Sequence, residues 1–84
     1  MWYVYVLKSE KDGGLYIGFT SDLKQRITRH QEGQVLATRY RGSLQLIYYE
    51  VFLNKLDAIA RERYLKSGYG RQQLKSCLKN TLLL

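Results

Sequence analysis

The chain has 84 residues, 14 of them Lys or Arg, 7 Asp or Glu, one Cys and no Pro, for a net charge of +7. That length suits one domain over residues 1–84 with a modest core, and the 45% hydrophobic content excludes a disordered chain. Cys77 alone excludes an internal disulfide and a Cys-based zinc site, so packing must hold the fold, as in a reducing, cytoplasmic setting.

The elements follow in chain order. Trp2 to Leu7 is aromatic and β-branched and predicts a strand. Asp12-Gly13-Gly14 is a turn signal, and Leu15 to Phe19 predicts the returning strand of a hairpin. Gly18 inside a strand points to close approach by a backbone or a ligand. Thr20 or Ser21 can cap a helix over about residues 22–32, with Leu23 and Ile27 inward and Gly33 at its C-terminus. Arg26 and His30 stand one turn apart on an adjacent stripe. Residues 34–43 read as a loop with one helical turn.

Leu44 to Phe52 predicts a strand, and its nearly continuous apolar content predicts a central, helix-covered position. Asn54, with Asp57 in the capping-box position, starts a helix that runs to Lys66 or Ser67. Leu56, Ala60 and Tyr64 are expected to share a face of it, with Ile59 beside them. Gly68-Tyr69-Gly70 reads as a break before a last helix over about residues 71–79, with Leu74, Cys77 and Leu78 inward. The tail from Thr81 to Leu84 packs on the core or frays. This order predicts an α+β fold, a three-stranded antiparallel sheet flanked by helices.

The charge favours a polyanion, nucleic acid first, with an anionic membrane surface as the competing partner. No apolar run approaches the ~18 residues of a bilayer span. The start MWYVYVLKSE lacks the features of a signal peptide. Basic residues concentrate late in the chain, where Arg61, Arg63, Lys66, Arg71, Lys75 and Lys79 are opposed only by Glu62.

Three sets of residues have chemical potential, each with a plainer reading beside it. Tyr3, Tyr5 and Tyr16 either supply hydroxyl chemistry or fill a sheet face. Arg26 with His30 suits a phosphodiester, a guanidinium gripping oxygens and an imidazole moving a proton, or the pair is a solvated helix face. Glu62 either holds a hard divalent cation or pairs with Lys66 at i+4.

Tyr3-Val4-Tyr5, then Tyr16-Ile17-Gly18, then Arg26, His30 and Glu62, resembles the GIY-YIG nuclease domain. The run from Leu15 to Arg26 and the run from Arg61 to Arg71 look like its small stand-alone members, which are similar to the N-terminal domain of the nuclease component of excinuclease ABC. The resemblance covers nearly the whole chain. It implies a DNA endonuclease that hydrolyses phosphodiester bonds with one divalent cation, Mg²⁺ or Mn²⁺, in repair or recombination. Matched by position, Tyr5 would be the general base and Tyr16 would lie beside the metal's water shell. Arg26 would bind the phosphate, His30 would sit in hydrogen-bonding reach, and Glu62 would be the metal's sole protein ligand. Tyr3, Val4, Ile17 and Gly18 would be structural motif positions. A phenol of ordinary pKa near 10 is a poor base, so a neighbouring cation is expected to lower it. Arg26, Lys66, Arg71 and Lys75 are expected to contact the nucleic acid. DNA is the expected partner, with RNA open as well and no membrane.

Val4 and Tyr3 depart from the literal first element. The Asn that many relatives carry late in the domain has no counterpart in Arg71-Gln72-Gln73-Leu74-Lys75. No attached targeting domain is expected, so any cleavage would be weakly sequence-selective, directed by DNA structure, or aimed by a protein partner. The alternative is a nucleic-acid-binding module with weak or no catalysis.

Overall fold

The computed structural model describes residues 1–40 and 42–83. Three strands, β1 (Trp2–Ser9), β2 (Leu15–Thr20) and β3 (Leu44–Phe52), form one antiparallel sheet in the order β2-β1-β3. Helix α1 (Leu23–Gln31) lies on one face, and α2 (Lys55–Lys66) with α3 (Gly68–Cys77) on the other. A 3₁₀ turn, Thr81–Leu83, follows, and Leu82 packs on the α2–α3 side. Leu84, part of the expected tail, lies outside the described residues. The α+β architecture read from the sequence is the one observed.

The sheet has two distinct faces because strand side chains alternate. Val4, Val6 and Ile17 point to the α2–α3 face and close on Ala58, Leu65, Leu74 and Leu78. Tyr5, Leu7 and Leu44 point to the α1 face, where Leu23 and Ile27 cover them. β1 is therefore the strand buried on both faces, with Val4 to Leu7 at 0–1% exposure. The expectation that β3 is central is wrong. β3 is an edge strand, and its apolar run reflects partial burial, with Tyr49 and Val51 half-exposed.

Three local expectations are corrected. Asp22, not Thr20 or Ser21, caps α1, its carboxylate accepting from Gln25 N–H at 3.0 Å. Thr20 Oγ1 instead accepts from Asp22 N–H and steadies the turn before the helix. In α2 the inward stripe is Ala58, Glu62 and Leu65, while Leu56, Ala60 and Tyr64 face outward. Both stripes have helical spacing, and contact decides between them: small Ala58 admits the sheet and Leu65 closes on Leu74.

Gly68-Tyr69-Gly70 is helical rather than a break. Ser67 caps α3 by accepting from Gly70 N–H at 3.1 Å, and a Cβ at Gly70 would run into the Tyr64 carbonyl. The glycine there serves close approach of α3 to the end of α2, not chain reversal. Cys77 faces solvent, whereas Leu74 and Leu78 are buried as expected.

Candidate functional site

Tyr5 stands in the central strand, opposite Gly18 of β2 and Tyr49 of β3, and is fully buried at 0% exposure. Burial obliges its hydroxyl to find partners, and α1 supplies both. Arg26 Nε–H donates to Tyr5 Oη at 3.2 Å, and His30 Nε2 lies 2.9 Å from the same oxygen. These two residues are one turn apart, which brings both over the strand. On the far side of the ring, His30 Nδ1 lies 2.7 Å from Thr38 Oγ1, itself 1% exposed.

Counting donors assigns the protons. Burial, and then the Arg26 charge, push the His30 pKa down from 6.5 to about 4, so the ring is neutral at pH 7. A neutral imidazole has one N–H. The phenol accepts from Arg26, and with the imidazole proton on Nδ1 every partner is satisfied, because Tyr5 then donates to His30 Nε2. His30 Nδ1–H then donates to Thr38 Oγ1. The four side chains form one directed chain, Arg26 to Tyr5 to His30 to Thr38.

The Tyr5 pKa is raised, chiefly by burial. The hydrogen bond from Arg26 pulls it down, while Tyr16 and the charge of Glu62 push it up. The lowering expected from a neighbouring cation is thus present but outweighed by desolvation. Tyr5 is a phenol at neutral pH, with a proton to give and a neutral imidazole to receive it.

Tyr16 joins the cluster through its ring, with centroids 4.9 Å from His30 and 6.4 Å from Tyr5. Gly18 explains its own presence in a strand. A Cβ there would lie 2.5 Å from Tyr5 Oη and 2.7 Å from Cζ. Only a residue without a side chain leaves the phenol its place between Arg26 and His30. Val4 and Ile17 point the other way, into the core, and Tyr3 lies beside Tyr49 with ring centroids 6.0 Å apart.

Glu62 comes from the opposite layer. It lies on the sheet-facing stripe of α2, its side chain 15% exposed, with Lys66 Nζ at a loose 3.5 Å. Its link to Tyr5 is its field, which raises the phenol's pKa. Among the described residues no three His, Cys, Asp or Glu side chains group to hold a metal ion. A single carboxylate is a hard oxygen donor that suits Mg²⁺ or Mn²⁺, which keep most of their water. Glu62, paired only loosely, fits that role.

Of the expected nucleic-acid contacts, only Arg26 is in the Tyr5 cluster. Lys66 sits beside Glu62, and Arg71 and Lys75 lie one turn apart on α3, Arg71 half-buried and Lys75 exposed. Arg61 is engaged elsewhere, gripping Glu50 through Nε at 2.8 Å and Nη2 at 3.0 Å while Tyr48 donates to the same carboxylate at 2.6 Å. Thr38 is the member that sequence reasoning missed. It sits in a segment without periodicity, and nothing but its placement marks it.

Three comparisons bear on this arrangement. The model of the GIY-YIG catalytic domain family matches residues 1–75. A UPF0213 protein of Clostridium perfringens is 45% identical over 75 residues, covering 88% of this chain and 80% of its own length. A UPF0213 protein of Staphylococcus saprophyticus is 39% identical over 74 residues, covering 87% and 89%. The solution structure of a UPF0213 protein from Bacillus halodurans superimposes with a TM-score of 0.57 at 36% identity, over 92% of this chain and 85% of that one. Among the described residues no helix is long and apolar enough to cross a membrane.

Proposed function

The chain belongs to the GIY-YIG nuclease family, and from that premise we propose that it is a divalent-metal-dependent endonuclease hydrolysing DNA phosphodiester bonds. The observation that carries this reading is the buried chain from Arg26 through Tyr5 and His30 to Thr38, beside Tyr16 and Gly18. A core would not assemble an arginine, a phenol and a neutral imidazole for packing alone, because aliphatic residues fill space without polar demands.

In this reading Arg26 turns its guanidinium from Tyr5 to the phosphate, where two N–H donors can meet two oxygens. That movement uncovers the phenol oxygen. Tyr5 then takes a proton from the attacking water as its own proton passes to His30 Nε2, so the phenol never has to exist as a free phenolate. Thr38 holds the imidazole in the tautomer that can accept. Tyr16 borders the space between the phenol and the substrate. Glu62 would hold the Mg²⁺ or Mn²⁺, whose charge offsets the charge that builds on the phosphate oxygens. Lys66, Arg71 and Lys75 add salt-sensitive attraction to the DNA backbone. The setting in repair or recombination follows the excinuclease-like resemblance, and a protein partner would direct where cleavage falls.

The test is nicking of supercoiled plasmid in Mg²⁺ by the purified protein. Glu62→Ala and Arg26→Ala should each lose it while keeping the far-UV circular dichroism of the native fold. Equal traces of nicking by the native protein and both variants would mean contamination and would sink the proposal. One observation favours a second reading, a DNA-binding module without catalysis: Tyr5 is fully buried with a raised pKa. In that case binding would persist in Glu62→Ala and no preparation would nick.

A further inference from the structure

The sheet face that carries Tyr5 is only half roofed. α1 has nine residues, about 13 Å of helix, whereas β1 has eight and β3 nine residues, at least about 25 Å of strand. α1 packs Leu23 and Ile27 against the cluster of Tyr5, Leu7 and Leu44, with Leu46 beside it. At the other end, register puts Tyr49 opposite Tyr5 and Val51 opposite Tyr3 on this same face. There Tyr49 is 49% and Val51 44% exposed. A register shift between Val6 and Leu7 pairs Leu7 with Leu46, which turns Leu46 under α1 and leaves Tyr49 on the open shelf.

Tyr3, Tyr49 and Leu46 form the floor of a cleft of about 590 Å³, with Leu23 and Ile27 of α1 as its wall and Ser21, Asp22 and Lys24 at its edge. Its chemistry is specific. The two phenol rings are 58° apart in tilt and 6.0 Å between centroids, so each keeps a face for a further ring. Ser21 gives a hydrogen-bonding edge, Asp22 keeps a spare acceptor oxygen beyond the one that caps α1, and Lys24 gives a cation that offsets the Asp22 charge. Flat apolar faces beside polar edges and a positive charge match a nucleobase on its phosphate backbone. The cleft also adjoins the phosphate-binding position, because Leu23 in its wall and Arg26 are neighbours at i and i+3 on α1.

We propose that this cleft takes one unpaired base of the strand whose phosphate Arg26 binds, stacked on the exposed ring of Tyr49. The inference rests on the nuclease reading and narrows its substrate class. A paired base has both faces occupied by its neighbours in the stack and cannot lie on a recessed shelf. The substrate is therefore DNA that presents an unpaired base beside the cut, as a single strand, a frayed end or a branch does.

The test measures binding without cleavage, in EDTA, by fluorescence anisotropy. One probe is a labelled oligothymidylate of about 12 nucleotides, within the site size of a small single-strand-binding domain. The other is an abasic oligonucleotide of the same length and charge. The native protein should bind the thymidylate about tenfold more tightly than the abasic strand, the scale of one base–aromatic stack. Tyr49→Phe should keep that preference and Tyr49→Leu should lose it, leaving equal, salt-sensitive affinity for both. Equal binding of the two strands by the native protein overturns the inference, as does an undiminished preference in Tyr49→Leu. Because cleavage is not read, a protein that fails to nick plasmid can still show the preference, and one that nicks can lack it.

Discussion

Mild acid should destabilise this protein chiefly through one residue, His30. The chain holds a single His, 2% exposed, whose pKa is held at about 4 by burial and by Arg26 rather than at 6.5. The unfolded imidazole takes a proton as pH falls through 6.5, while the folded one refuses it until about 4. Between those values the unfolded state binds more protons, so stability falls as pH falls, and the loss levels off below about 4. Across that span the loss is about 3 kcal/mol, and about 2.5 kcal/mol of it has occurred by pH 4.5. For a domain of this size that lowers the melting temperature by more than about 10 °C. Glu50, whose pKa lies below its ordinary 4.5 because Arg61 and Tyr48 more than offset its burial, begins to contribute only as pH approaches 4.5, and there by less than about 0.5 kcal/mol. Thermal melts between pH 6.5 and 4.5 therefore isolate the imidazole. A lone His also gives a lone Hε1 resonance, whose shift reports protonation without assignment. A titration midpoint near 6.5, or a melting temperature flat over that window, would refute the buried neutral imidazole and the proton path built on it.

Two substitutions probe the same chain from its sides. Gly18→Ala would put a methyl 2.5 Å from a hydroxyl that is rigid, buried and bonded twice. It should cost about 1–3 kcal/mol in a denaturant melt and abolish nicking at temperatures where the variant is still folded; native stability would show that the phenol moves freely. Thr38→Val leaves the buried His30 Nδ1–H without its acceptor, a loss of about 1–3 kcal/mol. Thr38→Ser should restore both stability and nicking, and a Ser variant as impaired as the Val one would show that Thr38 acts by shape alone.

The family resemblance singled out the motif residues, and strand alternation and helical spacing made their placement legible in the sequence. Tyr5, Tyr16 and Gly18 fall on one sheet face by parity, and Arg26 and His30 on one helix stripe by the i, i+4 rule. Legibility failed where tertiary contact decides between equal local patterns. α2 has two stripes of plausible spacing, and only packing against Leu74 selects Ala58, Glu62 and Leu65. β3 has the apolar density of a central strand, yet pairing on both sides went to β1. Thr38 lay in a segment with no period, so nothing in the sequence could aim it at His30. The raised pKa of Tyr5 was hidden for a different reason. A nearby arginine is visible in sequence, but the desolvation that outweighs it exists only once the sheet and α1 have closed.

The placement of β2 at the sheet's edge bears on how Glu62 can serve the same reaction as Tyr5. The two belong to opposite layers, Tyr5 under α1 and Glu62 on the helix that packs against Val4 and Val6. A sheet passes no side chain between its faces, so groups on both sides can address one phosphate only around an edge. α2 lies over β1 and β2 more than over β3, and Glu62, on its sheet-facing stripe, is near enough for its charge to act on the phenol. Gly18 occupies the edge strand β2 opposite Tyr5 and adds no side chain to the gap. An edge strand with a glycine at this register is thus a geometric requirement of the proposed site, and had β2 been central, Arg26 and Glu62 would have been kept apart by the strand beyond it.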